Sequence, residues 1–225
     1  MSAWACGSYC HSERREESQE KIRMLASYKQ SIILASTNPG KLREFSEILV
    51  ELPVQLIPQS DCQITDVEET GLTFVENAIL KARHASAASQ LPAIADDSGL
   101  VVDALDGAPG VYSSRYAGEG ASDIDRNNKL LAALAEVPQP QRSARFVSCI
   151  VLLHYPADPM PLIFQGRWEG SIGYAPKGTQ GFGYDPLFVV PEKHCMAAEL
   201  TTEEKNRISH RGQALQQLKR YLASK

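Results

Sequence analysis

The chain has 225 residues and a formal net charge of −4, and with 43% hydrophobic and 22% charged residues it suits one ordinary globular domain. The acidic balance argues against long nucleic acids as partners, because these are bound through clustered Lys and Arg. No apolar run approaches the roughly 20 residues of a membrane-spanning helix, and the five scattered cysteines form no paired motif, so we expect a protein of the reducing cytoplasm without membrane attachment.

Residues 1–29 differ in composition from the rest of the chain. They contain a charged polar run at 12–21 with no apolar periodicity and no signal-peptide core. We predict a disordered or loosely helical extension at 1–29 and a single domain at 30–225. Met24, just before the first predicted strand, is a hypothetical translation start, and N-terminal sequencing that found Met1 or Ser2 would count against it.

The hydrophobic pattern alternates between strands and helices and then changes to a hairpin. Thr73 followed by Glu76 is a capping-box signature and predicts a helix at 74–89. Before this helix, the predicted elements are a strand at 31–36, a helix at 41–49 and a strand at 54–58. After it, a strand at 93–95 ends at Asp96-Asp97-Ser98-Gly99 and is followed by an apolar segment at 100–105. The remaining predicted elements are a helix at 124–135, antiparallel strands at 145–155 and 161–172, a strand at 187–190 and a helix at 203–221. This order predicts a mixed α/β sheet.

The first polar motif, the 36–41 loop, lies at a predicted strand-to-helix junction and reads Ser36-Thr37-Asn38-Pro39-Gly40-Lys41. A helix N-terminus offers free amides and a partial positive charge to phosphate. Ser36 and Thr37 add hydroxyl donors and Lys41 adds a cation. A P-loop is excluded, because the first glycine of that motif is missing and Leu42 replaces its hydroxyl residue. Taken alone, the motif fits a phosphate site and a plain turn equally well.

The second motif is acidic. Glu68 and Glu69 precede the helix at 74–89, and Asp96 and Asp97 follow an apolar strand. Mg²⁺ usually combines one or two carboxylates with substrate phosphate, and α/β sheets commonly hold ligands at the carboxyl ends of their strands. One acid could hold the metal while another accepts a proton from an attacking water. A solvated acidic turn is the alternative, above all for Glu68 and Glu69. Lys81, on an otherwise apolar helix face, could reach phosphate, pair with these acids or lie at the surface.

The third motif is the glycine-rich segment 178–186. One of its two rings, Phe182 or Tyr184, could stack on a nucleobase, and Asp185 could accept hydrogen bonds from a base or ribose. The alternative is a tight turn with Phe182 in the core.

The fourth motif, at 203–211, carries several polar side chains beside the buried-side residue Ile208. Arg211 offers a planar fork for phosphate or a purine carbonyl, and His210 could donate to a base oxygen. A solvated amphipathic helix is the alternative.

In series, these segments resemble the inosine/xanthosine triphosphate pyrophosphatase family in its bacterial dITP/XTP pyrophosphatase form. The resemblance covers residues 32–222, and five blocks carry it: LASTNPGKLREF, EETGLTFVENAILKARHAS, AIADDSGLVVDALDGAPGVYSSRYAG, GTQGFGYDPLF and AELTTEEKNRISHRGQAL. It implies a mixed α/β fold with a long central sheet flanked by helices, two lobes with the active site in the cleft between them, and a homodimer. It also implies a Mg²⁺-dependent enzyme that converts ITP, dITP and XTP to monophosphate and pyrophosphate, cleansing the nucleotide pool.

The resemblance also implies roles for individual residues. The triphosphate would be held by Ser36, Thr37, Asn38, Pro39, Gly40 and Lys41. Mg²⁺ would be bound by Glu68 and Asp97, with Glu69 nearby. The nucleoside would be held by Phe182, Gly183, Tyr184, Asp185, Lys205, His210 and Arg211. Asp97 would be the proton acceptor, and Ser98 would touch the substrate. Pro39 is the one departure, since proline removes a backbone donor from the loop.

Two other functions are alternatives to this one. A Maf-type nucleotide pyrophosphatase typically carries Ser-Pro-Arg-Arg where this chain has Asn-Pro-Gly-Lys. A nucleotide-binding regulator without turnover would not need the acids Glu68, Glu69, Asp96 and Asp97. The sequence leaves open the preference among ITP, dITP and XTP and the means of excluding GTP.

Overall fold

The computed structural model describes residues 30–224, so the predictions for residues 1–29, including a start at Met24, lie outside the described residues. Within the described part, seven strands form one sheet: β1 (Gln30–Leu34), β2 (Val54–Pro58), β3 (Ala93–Val102), β4 (Ser143–Leu153), β5 (Leu162–Ile172), β6 (Phe188–Val190) and β7 (Cys195–Met196). The α-helices are α1 (Pro39–Leu49), α2 (Phe74–Ser89), α3 (Asp123–Ala133), α4 (Thr202–Ile208) and α5 (His210–Ala223). None of these helices has the length and hydrophobicity needed to cross a bilayer.

The sheet is mixed, as the sequence predicts. Its strand order is β2-β1-β3-β4-β5-β6-β7. Strand β1 runs parallel to β2 and β3, whereas each pair from β3 to β7 is antiparallel. The parallel part follows from the helices that connect β1 to β2 and β2 to β3, and the antiparallel part from the hairpin of β4 and β5.

Strand β3 does not end at Asp96, and this corrects the prediction. The strand continues to Val102 because all ten of its residues pair with β4. Of these ten residues, however, only Ala93 and Ile94 also pair with the parallel strand β1. Asp96 and Asp97 therefore lie in the middle of β3 but beyond the carboxyl end of the neighbouring parallel strand. Because side chains alternate along a strand, the two carboxylates point to opposite faces of the sheet.

The hydrophobic core is divided along the three long strands β3, β4 and β5. At one end, α2 packs on one face against residues such as Ala95, and α1 and α5 pack on the other against residues such as Ile94. A separate cluster at the other end includes Leu100, Phe146 and Trp168. This division agrees with the two-part arrangement that the resemblance implies.

Between these clusters, small residues cross the sheet in a row. Ser98 pairs with Ser148, and Ser148 pairs with Gly166; we call these three residues the small-residue row. A Cβ atom on Gly166 would overlap the carbonyl oxygen of His210. Glycine is thus required for the first turn of α5 to lie directly on the sheet.

The C-terminal region forms two helices, and the prediction of a single helix at 203–221 was wrong. Ser209 adopts an extended conformation with ψ 162° between α4 and α5. Its hydroxyl accepts a hydrogen bond from the Gly212 amide at 3.1 Å and so caps α5. The break turns α5 onto the sheet and brings His210 and Arg211 to the small-residue row.

Candidate functional site

The described structure contains a cleft of about 950 Å³. It is lined by every residue that the sequence analysis assigned to a site, namely Ser36, Thr37, Asn38, Pro39, Gly40, Lys41, Glu68, Glu69, Asp97, Ser98, Phe182, Gly183, Tyr184, Asp185, Lys205, His210 and Arg211. Residues separated by up to 175 positions therefore share one concave surface, of a size that suits a small-molecule ligand.

The 36–41 loop begins α1, with Asn38 as its N-cap. The Asn38 side-chain oxygen accepts hydrogen bonds from the amides of Gly40 at 2.9 Å and Lys41 at 3.1 Å, and the Asn38 amide donates to the Ser36 hydroxyl at 3.2 Å. This corrects the expectation of free amides for phosphate at this helix start. The groups that the loop offers an anion are instead the Ser36 hydroxyl and the ammonium of Lys41, because the Thr37 hydroxyl already donates to Asp66.

Asp96 binds cations on one face of β3. Its carboxylate lies 2.9 Å from the Lys41 ammonium and 3.0 Å from Nε of Arg211, and it accepts a 2.6 Å hydrogen bond from Ser148. Burial opposes the charge, but Arg211 and Lys41 outweigh it and hold the pKa of Asp96 far below its usual range. Asp96 therefore fixes the positions of the two cations and has no basicity to offer a water molecule.

Asp97 lies on the opposite face and contacts Lys81. The Lys81 ammonium bridges Asp97 and Glu69, with 2.7 Å to each carboxylate. Of the alternatives for this lysine, the structure shows pairing with the acids. Burial favours the neutral amine, but Asp97 and Glu69 outweigh it and raise the pKa of Lys81.

The pKa values of Asp97 and Glu69 are shifted in opposite directions. Burial raises the pKa of Asp97 despite the attraction of Lys81. In Glu69 the effect of burial is overcome, chiefly by Lys81, so that its pKa is lowered. A raised pKa makes Asp97 the better proton acceptor of the two carboxylates.

The acidic side chains supply oxygen ligands of the kind that Mg²⁺ takes. Glu69 and Asp97 converge on one ammonium, and Glu68 lines the same cleft and is exposed. No group of three or more His, Cys, Asp or Glu side chains among residues 30–224 is arranged as a metal site by itself. A one- or two-carboxylate site completed by substrate phosphate is the usual arrangement for Mg²⁺, and the residues present fit it.

The segment Gly181–Asp185 places one ring in the cleft and the other in the core. Phe182 is half-buried, and a Cβ on Gly40 would come within 2.6 Å of its ring, so glycine lets this ring lie on the 36–41 loop. The Lys205 ammonium lies 4.8 Å from the ring centroid. Tyr184 is buried, and its hydroxyl donates to the Ser113 carbonyl at 2.8 Å. Of the two rings, Phe182 is the one open to a ligand.

Lys205 and Arg211 are joined to the helix after the 36–41 loop by a buried carboxylate. Glu44 of α1 lies 3.3 Å from Lys205 and 2.5 Å from Arg211. Lys205 also lies 2.6 Å from Asp185. Burial raises the pKa of Asp185, whereas Arg211 and Lys205 outweigh burial and lower the pKa of Glu44.

His210 is buried and stacks on Phe146, with ring centroids 4.8 Å apart and an angle of 12° between the planes. Burial, reinforced by Arg211 and Lys205, lowers the pKa of His210 well below its usual value, so the ring is neutral. Its Nδ1 atom is buried and has no hydrogen-bond partner. Arg211 already uses Nε and both terminal nitrogens, on Asp96, Glu44 and Ser98. The predicted contacts of these residues with a base or phosphate stay predictions.

Several residues of this region were not predicted from the sequence. Glu44 binds the two cations from α1, Arg115 donates to Glu69 at 3.1 Å, and Asp66 accepts a hydrogen bond from Thr37 at 3.1 Å. The signal for Glu44 was present, because it sits next to Phe45 on the buried side of α1. Arg115 and Asp66 carry no local signal, since their partners lie 46 and 29 positions away.

Comparisons with known proteins identify the family of this chain. The model of the Ham1 family matches residues 32–221. The dITP/XTP pyrophosphatase of Haemophilus influenzae is 58% identical over 85% of this chain and 98% of its own length, and that of Photorhabdus laumondii is 52% identical over 84% and 96%. A solved HAM1 protein from Coxiella burnetii has a TM-score of 0.82 and 53% identity, covering 87% of this chain and 99% of its own. The chain belongs to the Ham1 family.

Proposed function

We propose that this protein hydrolyses non-standard purine nucleoside triphosphates, namely ITP, dITP and XTP, to the monophosphate and pyrophosphate. One observation carries the proposal: a single cleft combines Lys41 and Lys81 with the half-buried ring of Phe182 and with the buried carboxylate of Asp97, whose pKa is raised. Relatives at 52–58% identity are named dITP/XTP pyrophosphatases, which supports the same reaction here.

In the proposed reaction, Asp97 accepts a proton from the water that attacks the α-phosphorus. The raised pKa of Asp97 brings its basicity closer to neutral pH, where a general base is most effective. Lys41, held by Asp96, would stabilise the charge that develops on the phosphate oxygens. Pyrophosphate is the leaving group.

We propose Mg²⁺ as the cofactor, held by Glu68, Asp97 and the nearby Glu69 together with the substrate. When bound, the ion supplies charge neutralisation at the phosphate oxygens. The oxygen-only character of the three side chains favours a hard cation. Lys81 bridges Glu69 and Asp97 and so holds the two carboxylates close together.

Selectivity for a 6-oxo purine is proposed to come from the nucleoside end of the cleft. A neutral imidazole carries one N–H donor, and His210 is held neutral beside the guanidinium of Arg211. Donors here would favour the 6-oxo group of hypoxanthine or xanthine, whereas the amino group of ATP would leave them unpaired.

The test is pyrophosphate release from ITP, XTP, dITP, ATP and GTP, each with Mg²⁺ and with EDTA. We expect fast, metal-dependent turnover of the first three. Equal turnover of all five would refute the selectivity argument and retain the pyrophosphatase. No turnover of any would favour the nucleotide-binding regulator. We further propose that the protein is a homodimer, which light scattering of the purified protein would test. We also propose that it lies in the cytoplasm, which fractionation of cells would test.

A further inference from the structure

Helix α3 holds the cleft segment that carries Phe182 and Tyr184. Both polar backbone groups of Gly183 are bound by this helix: its amide donates to Asp123 at 2.7 Å, and its carbonyl accepts from the side-chain amide of Asn127 at 3.0 Å. Gly183 has a φ of +62°, a left-handed conformation that glycine adopts without strain. One helix thus fixes the residue between the two rings.

The helix is itself anchored beside the cleft. The second oxygen of Asp123 pairs with Arg126, and Arg126 donates to the carbonyl of Ser114 at 2.9 Å. The Tyr184 hydroxyl binds the adjacent carbonyl of Ser113. Helix α3 and the segment with Gly183 therefore share one support, so the position of Gly183 is determined from two directions.

We propose that Asp123 and Asn127 are positioning residues that set the affinity for the nucleoside part of the substrate; this rests on the proposed function. Displacement of Gly183 would carry Phe182 with it, and the Phe182 amide donates to Asp185 at 2.9 Å. The ring and the carboxylate assigned to the nucleoside would move together. The cation assigned to phosphate, Lys41, is held elsewhere, by Asp96.

The test compares Asp123→Ala and Asn127→Ala with the matched control Asn128→Ala, which changes an exposed residue of the same helix. Steady-state kinetics with ITP are combined with inhibition by inosine monophosphate and by pyrophosphate. For both α3 variants we expect KM for ITP and the inhibition constant of the monophosphate to rise roughly tenfold, the size expected for one lost hydrogen bond to a charged or buried group. The kcat and the inhibition constant of pyrophosphate should stay near those of the wild type.

The conservative variant Asp123→Asn keeps one acceptor oxygen for the Gly183 amide and should restore most of the affinity. An equal loss of affinity for monophosphate and pyrophosphate would overturn the inference, as would unchanged constants or a fall in kcat alone. If Asp123→Ala does not fold, Asn127→Ala, which removes only a neutral donor, decides the question. Wild-type protein that releases no pyrophosphate from ITP would refute the proposed function; calorimetric binding of inosine monophosphate to the same variants would then still test the inference.

Discussion

Asp96 and Asp97 are neighbours in β3, yet replacement by asparagine is expected to destabilise the fold at Asp96 and not at Asp97. Asp96 is 1% exposed and pairs with Lys41 and Arg211. Its folded-state pKa is lowered, so its carboxylate stabilises the fold at every pH above its unfolded pKa. Asp96→Asn leaves the buried Arg211 and the partly buried Lys41 without this partner. Breaking a buried ion pair costs about 3–5 kcal/mol, which for a domain of this size lowers Tm by about 10 °C.

Asp97 has the opposite linkage. Its folded-state pKa is raised by burial, so at pH 7 its negative charge is less favourable in the folded chain than in the unfolded chain. Asp97→Asn removes this charge with almost no change in shape, and Lys81 retains Glu69 as a partner. We expect the Tm of this variant to equal or exceed that of the wild type. We also expect kcat for ITP to fall by roughly 10²–10⁴-fold, the range for a lost general base.

Thermal unfolding at pH 7, followed by circular dichroism, and pyrophosphate release from ITP would be measured on the wild type and both variants. The decisive quantity is the difference in Tm between the two variants, since the substituted residues are neighbours in the same strand. A Tm for Asp97→Asn as low as that for Asp96→Asn would refute the argument from pKa. A near-normal kcat for Asp97→Asn would remove this residue from the role of proton acceptor.

Three further outcomes are expected. Gly166→Ala would push the first turn of α5 off the sheet, so KM for ITP should rise and the free energy of unfolding should fall by about 1–3 kcal/mol; an unchanged KM and Tm would show that α5 does not depend on this contact. Because Asp97 must be ionised to act as a base and burial raises its pKa in the free enzyme, kcat/KM should be lost on the acid side with a midpoint above an ordinary aspartate pKa, and a pH profile of kcat/KM checks this. Because the pKa of His210 is lowered by burial, the free energy of unfolding should decrease as the pH falls below about 6.5, by up to about 1.4 kcal/mol per pH unit. Denaturant titrations of His210→Phe should show a shallower decrease with pH. The same decrease in the wild type and in this variant would contradict the assignment to His210.

Elements with strong local signals were predicted closely. The strand at 54–58 and the helix at 74–89 have the predicted bounds, and the capping box of Thr73 and Glu76 is present. These succeed because the information lies within a few residues of each boundary. The helix predicted at 124–135 is displaced by one residue at its start and ends two residues earlier.

Elements set by distant contacts were not predicted. The polar run Asp96–Gly99 signals the end of a strand locally, but pairing with β4 continues the strand through it. Ser209 has no glycine or proline beside it to signal a helix end, and the break arises where α5 turns onto the sheet. In the candidate site, the residue types and their grouping were predicted from motifs. The pairing of Asp96 with cations, and of Asp97 with Lys81, depends on which face of β3 each occupies and could not be read from the motif.

The small-residue row also bears on how the cleft can change its width. Strands β3, β4 and β5 continue without a break past Ser98, Ser148 and Gly166, so the two parts of the core are joined by hydrogen-bonded sheet. A hinge requires a few residues that can absorb large changes in backbone dihedral angles, and paired strands do not supply them. Widening of the cleft must therefore come from twisting of the sheet or from movement of the loops at its rim. Amides in the middle of these strands should accordingly stay protected from hydrogen exchange while a ligand enters and leaves.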